Sequence, residues 1–449
     1  MPLIPGGGRA RFRADIVPDP VGKAVLSPSD FTYLGVLKFP LDASGIRFGY
    51  SHATTLTTRY VSGNLKILAG MSQATSATAG YLCEMNYATP NLTIASANRM
   101  SVYRTWGDIY QNRQVQEPTG LHQFGFLWDD EDEKLLWSYG PRYSGIHERS
   151  LGATELHSNF TMTKHGTWRT QCHSKQSNGY MTKIPSEYRS SLGGADVLVG
   201  GIQTSINAQS TFGYSLHAFD SSNLLGTPAD NYTNISSISV PTTRLMMGDI
   251  NNRMSRNPTW IPCSKGEPPY DCSNGSLGVP TSTVSDIDIG QGCAWIEGAS
   301  KHGLVFVGQF VDRVNSVNWR NTYYNGDDLP HQWYATAGST CCHGHHAFLD
   351  GTGPHTPSLV PQMWIYDPDV LVKVNNGQMT AYQAANSPTH SHKHLYDYSS
   401  SNFPQHRNYY LTGCAYDPVG GLFFVSIADI DYTSQFEGLP HLHVFQVAA

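Results

Sequence analysis

Charge is scarce in this chain of 449 residues: Asp, Glu, Lys and Arg make up 14% of it, where about 25% is ordinary for a soluble protein. The formal balance is −6 at neutral pH, so the basic footprint of a nucleic-acid binder is missing and no nucleic-acid partner is expected. No apolar run reaches the roughly 18 residues that a membrane span needs, so no membrane span is expected. The opening stretch carries Gly6-Gly7-Gly8 with Arg9, Arg11 and Arg13, but not the apolar core of a signal peptide. A phosphate-cradling glycine loop, a nucleophile elbow and a His-Glu-x-x-His motif are also missing.

The chain is rich in other things. It has 43 Gly, 25 Tyr, 9 Trp and 19 His, and 39% of it is hydrophobic. That is enough apolar and aromatic surface for a large core, and it excludes a disordered chain. Low charge with abundant Gly, Ser, Thr and Tyr suits many short strands joined by turns; a helical protein would hold more Ala, Glu, Lys and Leu. The 8 cysteines are an even number. Cys263 and Cys272 flank a Pro/Gly/Ser-rich loop that a disulfide could staple, which leans towards an extracellular or periplasmic setting.

A degenerate repeat runs through the chain. Gly125-Phe126-Leu127-Trp128 passes through the acidic turn Asp129–Asp132 to Lys134–Ser138. Cys293-Ala294-Trp295-Ile296 passes through Gly298 to Gly303–Gly308, and Cys414-Ala415-Tyr416-Asp417 through Gly420-Gly421 to Leu422–Ser426. Looser copies stand at 53–70 and 196–200, and a third strand follows most of them. These are antiparallel hairpin units. One such sheet cannot bury both faces alone, so the copies must pack radially or stack. The expected fold is all-β, a β-propeller of five to seven blades over residues 27–449, preceded by an extended arm over 1–26. Closure is expected from pairing of the strand at 31–40 with the last strand, His443–Val447. An ordinary β-sandwich is the alternative.

The segments Gly413–Asp417 through Leu422–Ser426 to His441–Phe445, Gln362–Pro368 and Gly179–Pro185 resemble those of secreted bacterial β-propeller proteins. In its inventory of His, Tyr, Arg and Cys the chain is also similar to the propeller-fold polysaccharide lyases that cleave ulvan-like uronic-acid polymers. The resemblance implies a polysaccharide substrate or glycan ligand.

β-Elimination from a uronate needs a cation against the carboxylate, a base for the C5 proton and an acid for the leaving oxygen. His52 and His122 stand at matching positions, each just before an inner-strand candidate, where a propeller's channel opens; imidazole titrates near neutrality. Arg169 with His173, and Tyr188 with Arg189, supply the remaining chemical types, as does Tyr143 in the segment 139–147. The catalytic candidates are therefore His52, His122, Tyr143, Arg169, His173 and Tyr188. The bland reading, histidines hydrogen-bonded between blades and arginines on blade surfaces, competes at each of them.

Cys341-Cys342-His343-Gly344-His345-His346 is the densest cluster of metal-binding types. On a strand Cys341, His343 and His345 share one face, and with Cys414 they would make a tetrahedral, structural zinc site. The competing reading is a loop cysteine pair, or a disulfide to Cys414, with histidines lining a polar channel. The aromatic run Trp319, Tyr323, Tyr324, Trp333 and Tyr334 suits a substrate-facing loop.

The leading expectation is a lyase of an acidic polysaccharide. A glycoside hydrolase would need two carboxylates at a set separation, and Asp249, Glu297, Asp312 and Asp431 are its candidates. A non-enzymatic propeller in a phage tail, virion or cell-surface assembly is the alternative from another class, with the N-terminal arm holding the assembly partner. The acidic turn 129–133 reads as a solvated surface.

Overall fold

A computed structural model describes residues 22–41, 46–48, 55–73, 76–109, 121–141, 149–172, 176–201, 215–224, 239–247, 289–311, 359–385, 387–393, 410–431 and 439–449. Their strands form five sheets. Ahead of the repeats come β1 (Ala24–Val25) and β2 (Phe31–Lys38). Blade one holds β3 (Ile46–Arg47), β4 (Leu56–Val61), β5 (Asn64–Gln73), β6 (Ser76–Asn86) and β7 (Ser101–Asp108). Blade two holds β8 (Leu121–Asp129), β9 (Lys134–Pro141), β10 (Arg149–Leu156) and β11 (Met162–Thr170). Blade three has β12 (Met181–Lys183), β13 (Val197–Val199), β14 (Ser215–Phe219) and β16 (Thr243–Met247), while the short β15 (Ser239–Val240) joins the edge of blade two beside β11. Blade four has β17 (Ile289–Glu297), β18 (Lys301–Val311), β19 (Leu359–Tyr366) and β20 (His390–Lys393), with β1 parallel to the start of β18. Blade five is β21 (Tyr410–Asp417), β22 (Leu422–Asp431) and β23 (Leu439–Val447), and its fourth strand is β2.

That last pairing closes the ring: β2 lies antiparallel to β23, from Phe31 opposite Val447 to Lys38 opposite His441. The innermost strands β4, β8, β12, β17 and β21 contact one another in that order, and β21 returns to β4. The architecture is a five-bladed β-propeller around a central channel. The expected range of five to seven blades thus resolves to five.

Among the described residues five separate hydrophobic clusters fill the seams, one between each pair of neighbouring blades. Leu68, Leu82, Phe126 and Trp137 pack between blades one and two, and Leu136, Leu151, Val197 and Phe219 between two and three. Tyr180, Leu216, Trp295, Phe306 and Trp364 fill the third seam, together with α2 (Asp369–Asn375) and α3 (Ala381–Ala385). Val305, Met363, Phe423 and Phe445 fill the fourth, and Ile67, Met85, Phe424 and Leu442 the fifth. Each such side chain, fully buried, contributes about 1.5–3 kcal/mol. The middle strands of a blade are apolar on both faces because both faces meet a seam, as in Leu135-Leu136-Trp137 and Leu304–Val307.

The hairpins joining innermost to second strands all turn at one mouth of the channel. Between β4 and β5 the turn is Ser62-Gly63, both at positive φ, which matches the twist of the flanking strands. Between β21 and β22 the Asp417 carboxylate accepts the Val419 and Gly420 backbone N–H groups, each at 3.0 Å, and fixes the turn. Among the described residues no helix is long and apolar enough to cross a membrane.

Candidate functional site

The hairpin mouth holds a cavity of about 440 Å³ to which all five innermost strands contribute. Its walls repeat. Trp128, Trp295 and Tyr416 each stand three residues after a glycine on their strand (Gly125, Gly292, Gly413), and each line the cavity. Asp129, Glu297 and Asp417 follow within two residues at the strand ends. Gly292 leaves room for Cys414 on the next strand, where a β-carbon would collide with its backbone nitrogen.

Hydrogen bonds tie the innermost strands across the seams. The Trp128 backbone N–H donates to Thr57 Oγ1 at 2.9 Å, and that of Trp295 to Thr182 Oγ1 at 2.8 Å. Lys183 Nζ donates to Asp129 Oδ1 at 2.6 Å. The aromatic and acidic rim is therefore held on rigid strands, which favours precise positioning.

Charge at the mouth is paired. Arg59 binds Glu84 through two parallel hydrogen bonds of 2.8 Å, with Glu84 wholly buried. The Trp106 indole N–H donates to the same carboxylate at 2.9 Å. The Arg59 guanidinium lies between rings, 4.6 Å from the Trp128 centroid and 5.3 Å from that of Trp106. Arg189, at the end of α1 (Ser186–Arg189), grips Glu131 with bonds of 3.1 and 2.7 Å, and Lys183 stands 3.2 Å from Glu131. Arg189 first, then Lys183, hold the Glu131 carboxyl down at about 2 against partial desolvation. Lys23 bridges to Glu297 and Glu187.

The phenols are held protonated. The Tyr60 hydroxyl donates to Asp417 Oδ2 at 3.0 Å, and desolvation with that carboxylate pushes its pKa up to about 12. Desolvation also raises Tyr416, with Asp417 and Glu297 adding. Asp130 is exposed as a residue, yet desolvation lifts its carboxyl above the ordinary value against the opposing Trp128 indole and Lys183. The cleft thus presents aromatic faces, phenol donors and carboxylate acceptors. Sequence reasoning missed most of it; the signal was the repeated aromatic-then-acid step at the strand ends.

The residues expected to be catalytic are placed as follows. His52, Tyr143 and His173 lie outside the described residues. His122 is the second residue of β8, opposite Gly140, at the end of that strand away from the cleft. Arg169 is near the end of β11, paired with Arg149. Tyr188 is fully buried in the seam between blades three and four, its ring 4.8 Å from that of Trp295 and its hydroxyl 2.6 Å from His302 Nδ1. Burial pushes that phenol up. Arg169 and Tyr188 occupy separate parts of the ring. Of the expected zinc ligands, Cys341, His343 and His345 lie outside the described residues. Cys414 is buried in the channel wall as a free thiol, raised by desolvation. Among the described residues no group of three or more His, Cys, Asp or Glu is placed to hold a metal ion. Cys263, Cys272, Asp249, Asp312 and the aromatic run 319–334 also fall outside them. Glu297 lines the cleft, and Asp431 ends β22. The turn read as solvated is not wholly so, since Asp129 is 3% exposed. Residues 23–26, expected in the arm, run along β18 with Leu26 in the core.

No protein-family profile matches the chain, and no curated protein sequence matches it. Solved structures do. Parainfluenza virus 5 hemagglutinin-neuraminidase with the ligand DANA aligns over 95% of this chain and 97% of its own at 7% identity and a TM-score of 0.34. The ectodomain of the same viral protein aligns over 95% and 89% at 7% identity and a TM-score of 0.32. A luciferin-regenerating enzyme aligns over 87% and 75% at 6% identity and a TM-score of 0.32. Likenesses of this strength carry no argument about activity.

Proposed function

We propose that this protein is a carbohydrate-binding β-propeller that holds its glycan at the hairpin mouth of the channel. The observation that carries the reading is the cleft wall: an aromatic ring at the same step of three innermost strands, interleaved with carboxylates, around a cavity of about 440 Å³. Sugar rings lay their C–H faces on indoles and phenols, and their hydroxyls donate to carboxylates. Asp130, Glu131, Glu187, Glu297 and Asp417 face the cleft against Arg59, Lys183 and Arg189, and these three cations are closed on Glu84, Asp129 and Glu131. That balance favours a hydroxyl-rich stretch of glycan over a carboxylate at this mouth.

The finer form of the proposal is catalysis: β-elimination on a uronic-acid polysaccharide of the ulvan type. His52, His122, Tyr143, His173 and Tyr188 are its candidate acids and bases, and Arg169 is its cation. Of the candidates among the described residues, His122 stands where β8 begins, while Tyr188 is buried in the seam between blades three and four beside residues that line the described cleft. Such a polymer is met outside the cytoplasm, so the reading carries an extracellular or periplasmic location. A structural zinc on Cys341, His343, His345 and Cys414 goes with it, checked by metal analysis of the folded chain after dialysis; stoichiometric zinc supports it and a metal-free folded protein removes it. The rival is a non-enzymatic propeller in a phage tail, virion or surface assembly, gripped by the arm that precedes Lys23.

Incubation with ulvan, alginate, pectin and neutral polysaccharides tests these readings, with binding by calorimetry and unsaturated product by ultraviolet absorbance. Binding with product supports the lyase. Binding without product keeps the glycan reading and removes the lyase. Binding to none of them overturns both and leaves the assembly protein.

A further inference from the structure

A segment that precedes the blades in sequence reaches the cleft. β1 runs parallel to the start of β18, where the Ala24 N–H donates to the Ser300 carbonyl at 3.1 Å and the Leu26 N–H to that of His302 at 2.8 Å. Leu26 is fully buried, and farther along the segment the Lys301 ammonium closes on the Asp30 carboxylate. These contacts fix the backbone next to Lys23 against blade four.

The Lys23 ammonium is directed at the cleft wall. It donates to Glu297 Oε1, and to Glu187 Oε1 at 3.4 Å. Both carboxylates line the cavity. Glu187 belongs to α1 in blade three and Glu297 ends β17 in blade four, so one cation joins two blades at the rim. Glu297 is engaged at both oxygens, since its Oε2 accepts the Trp295 indole N–H at 3.1 Å. The Trp295 ring stands in the wall, with Tyr188 packed edge-on behind it at 4.8 Å. A glutamate side chain is flexible by itself, and a partner on each oxygen holds it in one arrangement.

We propose that Lys23 is a positioning residue of the cleft: by holding Glu297 it fixes the Trp295 indole in the wall on which a sugar ring is laid. The segment ahead of the blades is then part of the binding site. The inference rests on the glycan reading of this mouth. Without the ammonium, Glu187 and Glu297 are like charges brought together at the rim, and their repulsion draws Glu297 away from the indole. Ion pairs at such a rim add little to global stability, so removing this one leaves the chain folded.

The test compares Lys23→Met, Lys23→Arg and Lys301→Met with the wild type, all as the full chain. Lys301→Met breaks the pair with Asp30 that also holds the segment, and leaves Lys23 its own partners. The first readout is affinity by calorimetry for whichever of ulvan, alginate, pectin and neutral polysaccharides the wild type binds. The second is the rate of indole oxidation by N-bromosuccinimide, mapped by peptide mass spectrometry.

In Lys23→Met the affinity should fall about three- to tenfold. Trp295 should oxidise faster there, with Trp128 unchanged. Lys23→Arg should restore both readouts, and Lys301→Met should match the wild type. Unchanged affinity or unchanged Trp295 oxidation in Lys23→Met overturns the proposal. An equal loss in Lys301→Met also overturns it, because docking of the segment would then be the cause. A wild type that binds none of the polysaccharides removes the glycan reading, and the oxidation rates alone then decide whether Lys23 holds the ring.

Discussion

Glu84 concentrates the polar chemistry of blade one. It is wholly buried and accepts two hydrogen bonds from Arg59 and one from Trp106. Removing one partner of such a pair leaves an uncompensated buried charge. Glu84→Gln is therefore expected to lower stability by about 3–5 kcal/mol, read from chemical denaturation; a change within experimental error would show that the pair is not buried as described. Trp128 belongs to the function: Trp128→Ala removes a stacking face and should weaken glycan binding roughly tenfold by calorimetry. Unchanged affinity would move the glycan away from this mouth. Neither residue was legible as a site. Glu84 and Arg59 are 25 positions apart on strands that do not pair with each other, so nothing in the spacing joins them. Asp129 to Glu133 looks like a solvated acidic turn, and only the arrival of Lys183 and Arg189 from blade three buries and neutralises part of it.

At the level of elements, the closure strand bears the clearest tests. Gly35 sits in a bulge of β2 at φ +132, and a β-carbon there would collide with the backbone of Asn91. Gly35→Ala should lower Tm, through steric conflict and backbone strain worth about 1–3 kcal/mol; a Tm equal to wild type would contradict the close approach. Opposite lies β23, with His443 Nδ1 3.0 Å from the Tyr33 hydroxyl. Burial holds His443 neutral, well below the usual histidine value, and His441 adds to that. In an unfolded chain the imidazole titrates near about 6.5. Its contribution is thus complete above that pH and is lost as pH falls below it. Tm should drop between pH 7.5 and 5, and His443→Gln should flatten that dependence; an identical slope in the variant would place the acid sensitivity elsewhere. These elements were readable in advance. The lone strand near the start and the apolar strand at the end each lack a partner in their own neighbourhood, and ring closure supplies one.

For the whole molecule, the repeated hairpin of a small or aromatic strand, an acidic or glycine turn and a very apolar strand carried the architecture, because a hairpin with two apolar faces has no stable form except between neighbours. Blade three was the hardest to see, since its short β12 has no aromatic at the repeated step and gives Thr182-Lys183 in its place. The blade number followed only from the strand pairing. The expected position of function was the mouth where innermost strands begin; the described cleft lies where they end. The periodicity of a strand says which face a residue takes, but both ends of a channel show the same alternation, and only the pairing of charges and rings across seams separates them.

The central claim, that the five innermost strand ends form one glycan site, is open to a direct measurement: hydrogen–deuterium exchange with and without the bound polysaccharide. Protection is expected together at 58–62, 128–131, 183–189, 295–299 and 416–420, with the outer strands unchanged. Protection confined to other parts of the chain, or to a single blade, would contradict it.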